Sequence, residues 1–269
     1  MRLSTPTRLS LRTVALAYIL ILLVLPLVII LYRTFQHGIG QFIDWISTPA
    51  AISAFNVSII ILIIVVPLNI LFGVVTALAL VRGNFPGRSL LQGVVDLPFA
   101  VSPVVVGVSL ILLWGVSGWL GGVEHLGFKV IFGLPGMVIA TVFVTLPYVV
   151  REVEPVLHEI GDDQEQAAAT LGASSWQTFW RITLPAIRWG LTYGLVLTVA
   201  RALGEFGAVI MVSSGLPGGG QTLTLLVNAR YMNDRNTFGA YCAATLLMGM
   251  ALVTLILMTL LERKRGKAQ

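Results

Sequence analysis

Six stretches of this chain are dominated by apolar residues, and shorter stretches rich in charge, glycine or proline separate them. Each approaches the roughly 20 mostly apolar residues that an α-helix needs to cross a bilayer. The pattern predicts an all-α polytopic membrane protein with about six spanning helices, near residues 13–32, 56–81, 94–115, 134–150, 189–212 and 239–261. Helix breakers, which membrane helices tolerate better than soluble ones, interrupt the third and fourth at Pro98, Pro103, Gly107, Pro135 and Pro147.

The composition supports a membrane location and argues against disulfide and metal sites. Hydrophobic residues make up 57% of the 269 residues and charged residues only 11%, whereas a soluble domain carries about 25% charged residues. The single cysteine, Cys242, excludes an internal disulfide and a cysteine-based metal cluster. His37, His125 and His158 are too scattered to form a metal site.

Basic residues predict the orientation in the membrane. Of the 17 lysines and arginines, twelve (including Arg2 and Lys267) flank one side of the predicted helices, and four lie on the other side. The positive-inside rule then places both termini and the loop at 152–187 in the cytoplasm. Because the charges spread along one membrane face, they argue against a nucleic-acid partner and for contact with membrane lipid. The first apolar stretch lacks a small-x-small cleavage site, which predicts a retained helix rather than a signal peptide.

The polar segment at 152–187 contains the signals of a helical hairpin. Asp162 and Asp163 precede residues 165–171, a run of strong helix formers, and acidic residues at a helix start oppose the helix dipole. We predict that Gly172 ends this helix in a left-handed conformation.

A second helix is predicted directly afterwards. Ser174 or Ser175 can cap a helix over 176–182, and Pro185 marks the start of the next apolar segment. The three alanines of the first helix give it a low-relief face on which a partner can pack closely. An ordinary amphipathic hairpin on the membrane surface is the alternative interpretation.

The same segment carries a motif. Gln166-Ala-Ala-Ala-Thr-Leu-Gly172, followed after nine residues by Ile182-Thr-Leu-Pro185, resembles the E-A-A-x-x-x-G-x9-I-x-L-P loop of ABC-importer permeases. Gln166 replaces the glutamate of that family, and Glu165 directly precedes it. The resemblance implies a cytoplasmic surface that docks a separate ATPase, formed by Asp163, Glu165, Gln166, Ala167, Ala168, Leu171 and Gly172.

Four further stretches, at 96–105, 176–185, 188–190 and 201–209, narrow the resemblance. They are similar to the W-type permease subunits of bacterial sulfate/thiosulfate importers, and the phrase Gly-Glu-Phe-Gly-Ala-Val at 204–209 favours the W-type over the T-type subunit. The similarity runs over about 55–260. Permeases for molybdate carry similar Gly-Glu-Phe-Gly phrases, so molybdate or tungstate is the alternative cargo.

The resemblance implies a type I importer permease, with a MetI-like fold, in the bacterial plasma (inner) membrane. Its permease core would span 54–261, preceded by a tail, first helix and outer loop at 1–53 and followed by a basic tail at 262–269. The implied partners are a T-type permease, two copies of an ABC ATPase and a periplasmic sulfate-binding protein. The chain would not be catalytic by itself and would bind no cofactor directly, since ATP and Mg²⁺ belong to the ATPase.

Charged residues in the fifth apolar stretch are candidates for the transport pathway. Arg201 and Glu205 are four residues apart, which predicts that they share one helix face, and charges at membrane depth usually pair or face a cavity. Either the two form a structural ion pair, or they also line the pathway, with Arg201 favouring an anion. Gly204 and Gly207 flank Glu205 and permit close packing or a hinge.

Two other segments are also candidates. Ser102 and Pro103 lie near the start of the third helix, where prolines leave backbone groups free to face a water-filled path; a simple helix start is the alternative. The glycine-rich loop at 213–220 precedes a possible short outer helix at 221–232 and is either a gate or a connector. A carrier that needs no ATPase is the alternative class, but it predicts a carboxylate pair at mid-membrane, which the sequence lacks.

Overall fold

The computed structural model describes residues 5–265, and the described residues are helical without strands, as the sequence predicts. Arg2, Lys267 and the outer parts of both predicted tails lie outside the described residues. In chain order the helices are α1 (residues 5–35, with a π turn at Leu20–Val24), α2 (Ile39–Ile46), α3 (Pro49–Arg82), α4 (Arg88–Ala100), α5 (Pro103–Trp114), α6 (Gly122–His125), α7 (Leu134–Ile160), α8 (Asp163–Thr170), α9 (Ser175–Leu203, with a π turn at Phe179–Thr183), α10 (Gly207–Val212), α11 (Leu223–Asn228, followed by a π turn at Ala229–Asn233) and α12 (Thr237–Arg265).

Within the described residues, five helices are long and apolar enough to cross a membrane, and the number is six if the bent pair of α4 and α5 is counted as one span. The five are α1, α3, α7, α9 and α12. This agrees with the prediction of about six spans. The predicted third span at 94–115 is wrong as a single helix, because α4 and α5 meet at an angle of 116°. Pro103 explains the break, since a residue that precedes proline is disfavoured in the helical conformation and Ser102 is extended, with ψ 134°.

The fourth and fifth spans extend further than predicted towards the segment at 161–174 that joins them. Helix α7 continues to Ile160, and α9 begins at Ser175, so the predicted separate helix at 176–182 is the first part of α9. Pro185 does not interrupt α9. The π turn before it lets the N–H of Leu184 bond to the carbonyl of Phe179, which is how membrane helices commonly accommodate proline.

The fifth span also ends earlier than predicted. Helix α9 ends at Leu203, and the non-helical residues Gly204–Phe206 separate it from α10. Arg201 and Glu205 therefore do not share a regular helix face, contrary to the prediction. Gly204 favours such a break, because glycine inside a helix costs about 1 kcal/mol relative to alanine.

The core lies where α3, α7 and α9 pack with little space between their backbones. A Cβ atom on Gly73 of α3 would lie 2.6 Å from a methyl carbon of Val149 in α7. A Cβ on Gly190 of α9 would lie 2.6 Å from the carbonyl oxygen of Glu152. Small residues at such crossings are the usual means by which membrane helices associate. A polar contact adds to the packing, because buried Asn69 donates to Thr145 Oγ1 at 2.6 Å.

Candidate functional site

The hairpin between α7 and α9 has the caps that the sequence predicts. Gly172 follows α8 with φ +83°, and the N–H groups of Gly172 and Ala173 bond to the carbonyls of Ala169 and Ala168, which satisfies the end of the helix. Ser174, rather than Ser175, caps α9 through reciprocal bonds with Gln177. These local bonds give the hairpin a defined shape.

The start of α8 differs from the prediction in one detail. Asp162 occupies the cap position, but its side chain makes no capping bond. Its Oδ2 instead accepts a hydrogen bond from Gln166 Nε2 at 2.7 Å. Gln166, which replaces the glutamate of the motif, is thus fixed on the exposed surface of α8 by a neighbour one turn away.

The seven candidate docking residues divide by exposure. Five are exposed, namely Asp163, Gln166, Ala167, Leu171 and Gly172. Leu171 is the most prominent, with 88% of its surface accessible. Ala168 is buried and offers no surface to a partner, and Glu165 is half-buried. An exposed leucine beside exposed alanines is an apolar patch of the kind that marks protein contacts.

Glu165 makes contacts within the chain that the sequence reasoning missed. Its Oε2 lies 3.0 Å from Nε of Arg82, the last residue of α3. Its Oε1 accepts from the hydroxyl of Thr183 in α9 at 2.8 Å. The sequence carries no local signal for these contacts, because Arg82 lies 83 residues from Glu165.

Arg201 and Glu205 are in contact, as the sequence predicts for a pair of opposite charges. Arg201 Nη1 lies 2.7 Å from Glu205 Oε2, and the Glu205 side chain is only 1% exposed against 28% for Arg201. The other carboxylate oxygen, Oε1, accepts from the N–H of Ala208 at 2.7 Å. Thr224 of α11 donates to the backbone carbonyl of Glu205 at 2.8 Å. Glu205 is therefore the junction of α9, α10 and α11.

The other pathway candidates meet beside this junction. A Cβ on Gly207 would lie 3.0 Å from Cβ of Pro103, and a Cβ on Gly107 would lie 2.7 Å from the carbonyl oxygen of Ala208. Helix α5 thus packs closely on α10, and the two broken helices touch at their breaks. Ser102 occupies the cap position of α5 without a side-chain capping bond.

Two cavities adjoin the junction. One, of about 10 Å³, has both polar and apolar lining residues, with Ser58, Thr141, Glu205, Thr222 and Thr224 among them, and this volume corresponds to about one water molecule. The other, of about 590 Å³, is mainly apolar and is bounded by α1, α9, α11 and α12, with Gly204 among its lining residues. Gly204 has no close neighbour, since a Cβ there would lie 3.8 Å from the nearest atoms.

Two serines of α3 hold the glycine-rich loop after α10 and the start of α11 in place. Gly218 donates its N–H to Ser53 Oγ at 3.2 Å, and Leu223 donates to Ser58 Oγ at 3.0 Å. Both serines belong to the first turns of α3. The short helix predicted at 221–232 is found as α11 and its π turn, over residues 223–233.

Comparison with known proteins places these features in context. The sequence profile described as "Binding-protein-dependent transport system inner membrane component" matches residues 69–267. The chain is 48% identical to the sulfate transport system permease protein CysW of Synechococcus elongatus, over 96% of this chain and 91% of the relative. It is 34% identical to the corresponding protein CysT of Synechocystis, over 93% and 87%.

The solved structures support the fold. The structure of a bacterial alginate ABC transporter in complex with an alginate pentasaccharide-bound periplasmic protein contains a chain that superposes with a TM-score of 0.78. That chain is 17% identical, and the match covers 97% of this chain and 95% of the other.

Proposed function

The chain belongs to the family of binding-protein-dependent transport system inner membrane components, and from this premise we propose that it forms half of the pathway by which an ATP-driven bacterial importer takes up sulfate. Thiosulfate, a related dianion, would follow the same route. The observation that carries the proposal is the 48% identity to a sulfate permease across almost the whole chain. The lower identity of 34% to a T-type subunit favours the W-type role.

The energy for import would come from another subunit. The hairpin around α8 presents Leu171 and the flanking alanines outward, and this surface is our candidate for the contact with an ABC ATPase, two copies of which would bind ATP and Mg²⁺. A type I arrangement then couples ATP-driven closure of the ATPases to opening of the pathway on the outer side. The hairpin would transmit that movement because its second arm is the first part of α9, and its first arm, α8, follows α7 after only two residues.

The remaining partners follow from the same arrangement. A related T-type permease would supply the other half of the pathway, and a periplasmic sulfate-binding protein would deliver the anion. The apolar side chains of α1 from Leu11 to Ile29 are exposed, which suits contact with lipid or with the second permease. The proposed orientation places both termini and α8 in the cytoplasm.

Arg201 is the proposed contact for the anion. Its guanidinium carries five N–H donors, of which Nη1 faces Glu205, so other donors are available to a passing dianion. The partner carboxylate keeps the local charge low, and this favours transient contact over tight binding. A pathway needs such weak contacts, since the anion must leave as readily as it enters.

The proposal is tested by complementation. A strain whose own sulfate permeases are deleted should regain growth on sulfate when this chain is expressed with its T-type partner, ATPase and binding protein. Uptake of radiolabelled sulfate should be inhibited by excess thiosulfate more strongly than by molybdate. Restored molybdate uptake without sulfate uptake would contradict the proposal and favour the other oxyanion.

A further inference from the structure

Arg82 closes the cytoplasmic end of the helix bundle by binding three acceptors. Its Nε contacts Glu165 Oε2 at 3.0 Å, its Nη1 donates to the carbonyl of Leu157 at 3.2 Å, and its Nη2 donates to the carbonyl of Gly161. Leu157 and Gly161 lie at the C-terminal end of α7. A cation is favoured there, because free carbonyls and the helix dipole give this end partial negative charge.

Glu165 extends the contact to a third spanning helix. While its Oε2 faces Arg82, its Oε1 accepts from Thr183, which is 97% buried within α9. Arg82, Glu165 and Thr183, here called the Arg82 cluster, therefore connect the first turn of α8 to the ends of α3 and α7 and to the π turn of α9. Both carboxylate oxygens are occupied within the chain, so Glu165 is poorly placed to contact another subunit.

Helix α3 leads from this cluster to the pathway junction. It has 34 residues, which makes it about 51 Å long at 1.5 Å per residue. Near its other end, Ser53 accepts a hydrogen bond from Gly218 in the loop that precedes α11, and Ser58 accepts one from Leu223, the first residue of α11. Helix α11 in turn bonds to Glu205 through Thr224. A continuous series of polar contacts and one long helix thus joins the hairpin to the Arg201–Glu205 pair.

We propose that Arg82 is a positioning residue that couples movement of the hairpin to the pathway, with α3 as the helix that joins them. This inference rests on the proposed function, because it assumes that an ATPase moves the hairpin. Arginine suits the role better than lysine, since its planar fork binds several acceptors in fixed geometry. The fixed geometry of the Arg82 hydrogen bonds matters more than the attraction between exposed charges, because solvent screens that attraction.

Variants of the Arg82 cluster distinguish a coupling role from ATPase docking and from a purely stabilising role, because each role predicts a different change. Arg82→Gln and Glu165→Gln should leave the ATPase bound and hydrolysing ATP, but should lower sulfate transported per ATP by at least about fivefold, the lower range of typical coupling between sites. The double variant should transport as much sulfate per ATP as either single variant, because the two substitutions break the same connection. Arg88→Gln is the matched control: Arg88 is exposed on the same predicted membrane face and should change nothing.

Two other outcomes would indicate a different role for Glu165 or for the Arg82 cluster. If Glu165 docks the ATPase, Glu165→Gln should lower ATPase co-purification and Arg82→Gln should not. If the cluster only stabilises the fold, thermal stability should fall while transport per ATP stays constant. Either result overturns the proposal. Should Arg82→Gln fail to fold, Arg82→Lys keeps the charge without the fork and should still lower transport per ATP.

A measurement without the ATPase separates this inference from the proposed function. Hydrogen exchange of the full chain in detergent should be faster over 161–172 in Arg82→Gln than in the wild type or Arg88→Gln. Unchanged exchange in that segment overturns the Arg82 cluster as an anchor, whatever the cargo is. A wild-type complex that fails to import sulfate, with the exchange difference present, overturns the proposed function alone.

Discussion

Gly207 and Pro103 touch at the breaks of two different helices, and a Cβ atom on Gly207 would lie only 3.0 Å from Cβ of Pro103. Each residue begins the second half of its broken helix, α10 and α5 respectively. The pyrrolidine ring is rigid, so the contact leaves little room for adjustment. This close approach sets how α5 and α10 pack beside the Arg201–Glu205 pair.

Gly207→Ala should therefore destabilise the protein and slow transport. Inserting a methyl group into a tightly packed site costs about 1–3 kcal/mol. Gly204→Ala is the matched control three residues away, where the nearest atoms lie 3.8 Å from an added Cβ; its effect should stay within about 0.5 kcal/mol. Thermal unfolding in detergent compares the two, and equal stability of both variants would show that the contact with Pro103 is unimportant.

The Arg201–Glu205 pair should respond unequally to its two single neutralisations. Removing one partner of a buried ion pair costs about 3–5 kcal/mol, but Glu205 is 1% exposed and Arg201 is 28% exposed. Arg201→Gln strands the more deeply buried charge and should be the more harmful. Glu205→Gln keeps an oxygen that can accept from Ala208, so it should be milder.

The double variant of this pair separates structure from transport. Combining Arg201→Gln with Glu205→Gln should restore folding yield beyond that of Arg201→Gln, because no buried charge is then unpaired. If Arg201 also guides the anion, the folded double variant should still import sulfate slowly. Full transport by the double variant would mean that the pair is only structural, and three fully stable, active variants would exclude both roles.

The turn at Gly172 should be essential for assembly with the ATPase. Its φ of +83° costs a residue with a branched or long side chain roughly 1–2 kcal/mol, and, the two adjoining residues aside, no atom of the described residues lies within 4 Å of an added Cβ. Gly172→Leu should lower co-purification of the ATPase, whereas Gly172→Asn, which tolerates this conformation, should retain most of it. Co-purification that is unchanged in Gly172→Leu would reject the docking assignment of the hairpin.

The orientation can be tested by labelling. In a Cys242→Ser background, a cysteine that replaces Leu216 in the exposed outer loop should react with an impermeant thiol reagent in intact spheroplasts. A cysteine at Ser174 should react only after the membrane is opened. Both positions are exposed, so access across the membrane decides the result, and the reverse pattern would invert the proposed topology.

The sequence was sufficient for features that depend on neighbouring residues. The left-handed turn at Gly172 and the cap at Ser174 are determined by a few adjacent residues, and both were predicted. The Arg201–Glu205 contact was predicted from spacing, although the helix that justified it ends at Leu203. The ion pair forms across the break all the same, with Arg201 Nη1 2.7 Å from Glu205 Oε2.

Features that depend on distant residues were missed. The hydropathy of 94–115 does not reveal the 116° bend between α4 and α5, because apolar residues continue through it. Likewise, nothing near Arg82 predicts that it binds Glu165, since the fold alone brings the ends of α3 and α8 together. The burial of Ala168 was also missed, because an alanine-rich helix has no strong polar face to indicate its orientation.

Transport by purified components tests the central claim most directly. Proteoliposomes that contain this chain, its T-type partner and the ATPase, supplied with sulfate-loaded binding protein, should take up radiolabelled sulfate only when ATP is present on the ATPase side. We predict that omission of the ATPase, or of this chain, reduces uptake to the level of empty liposomes. Sulfate uptake that persists without the ATPase, driven by an ion gradient alone, would contradict the account.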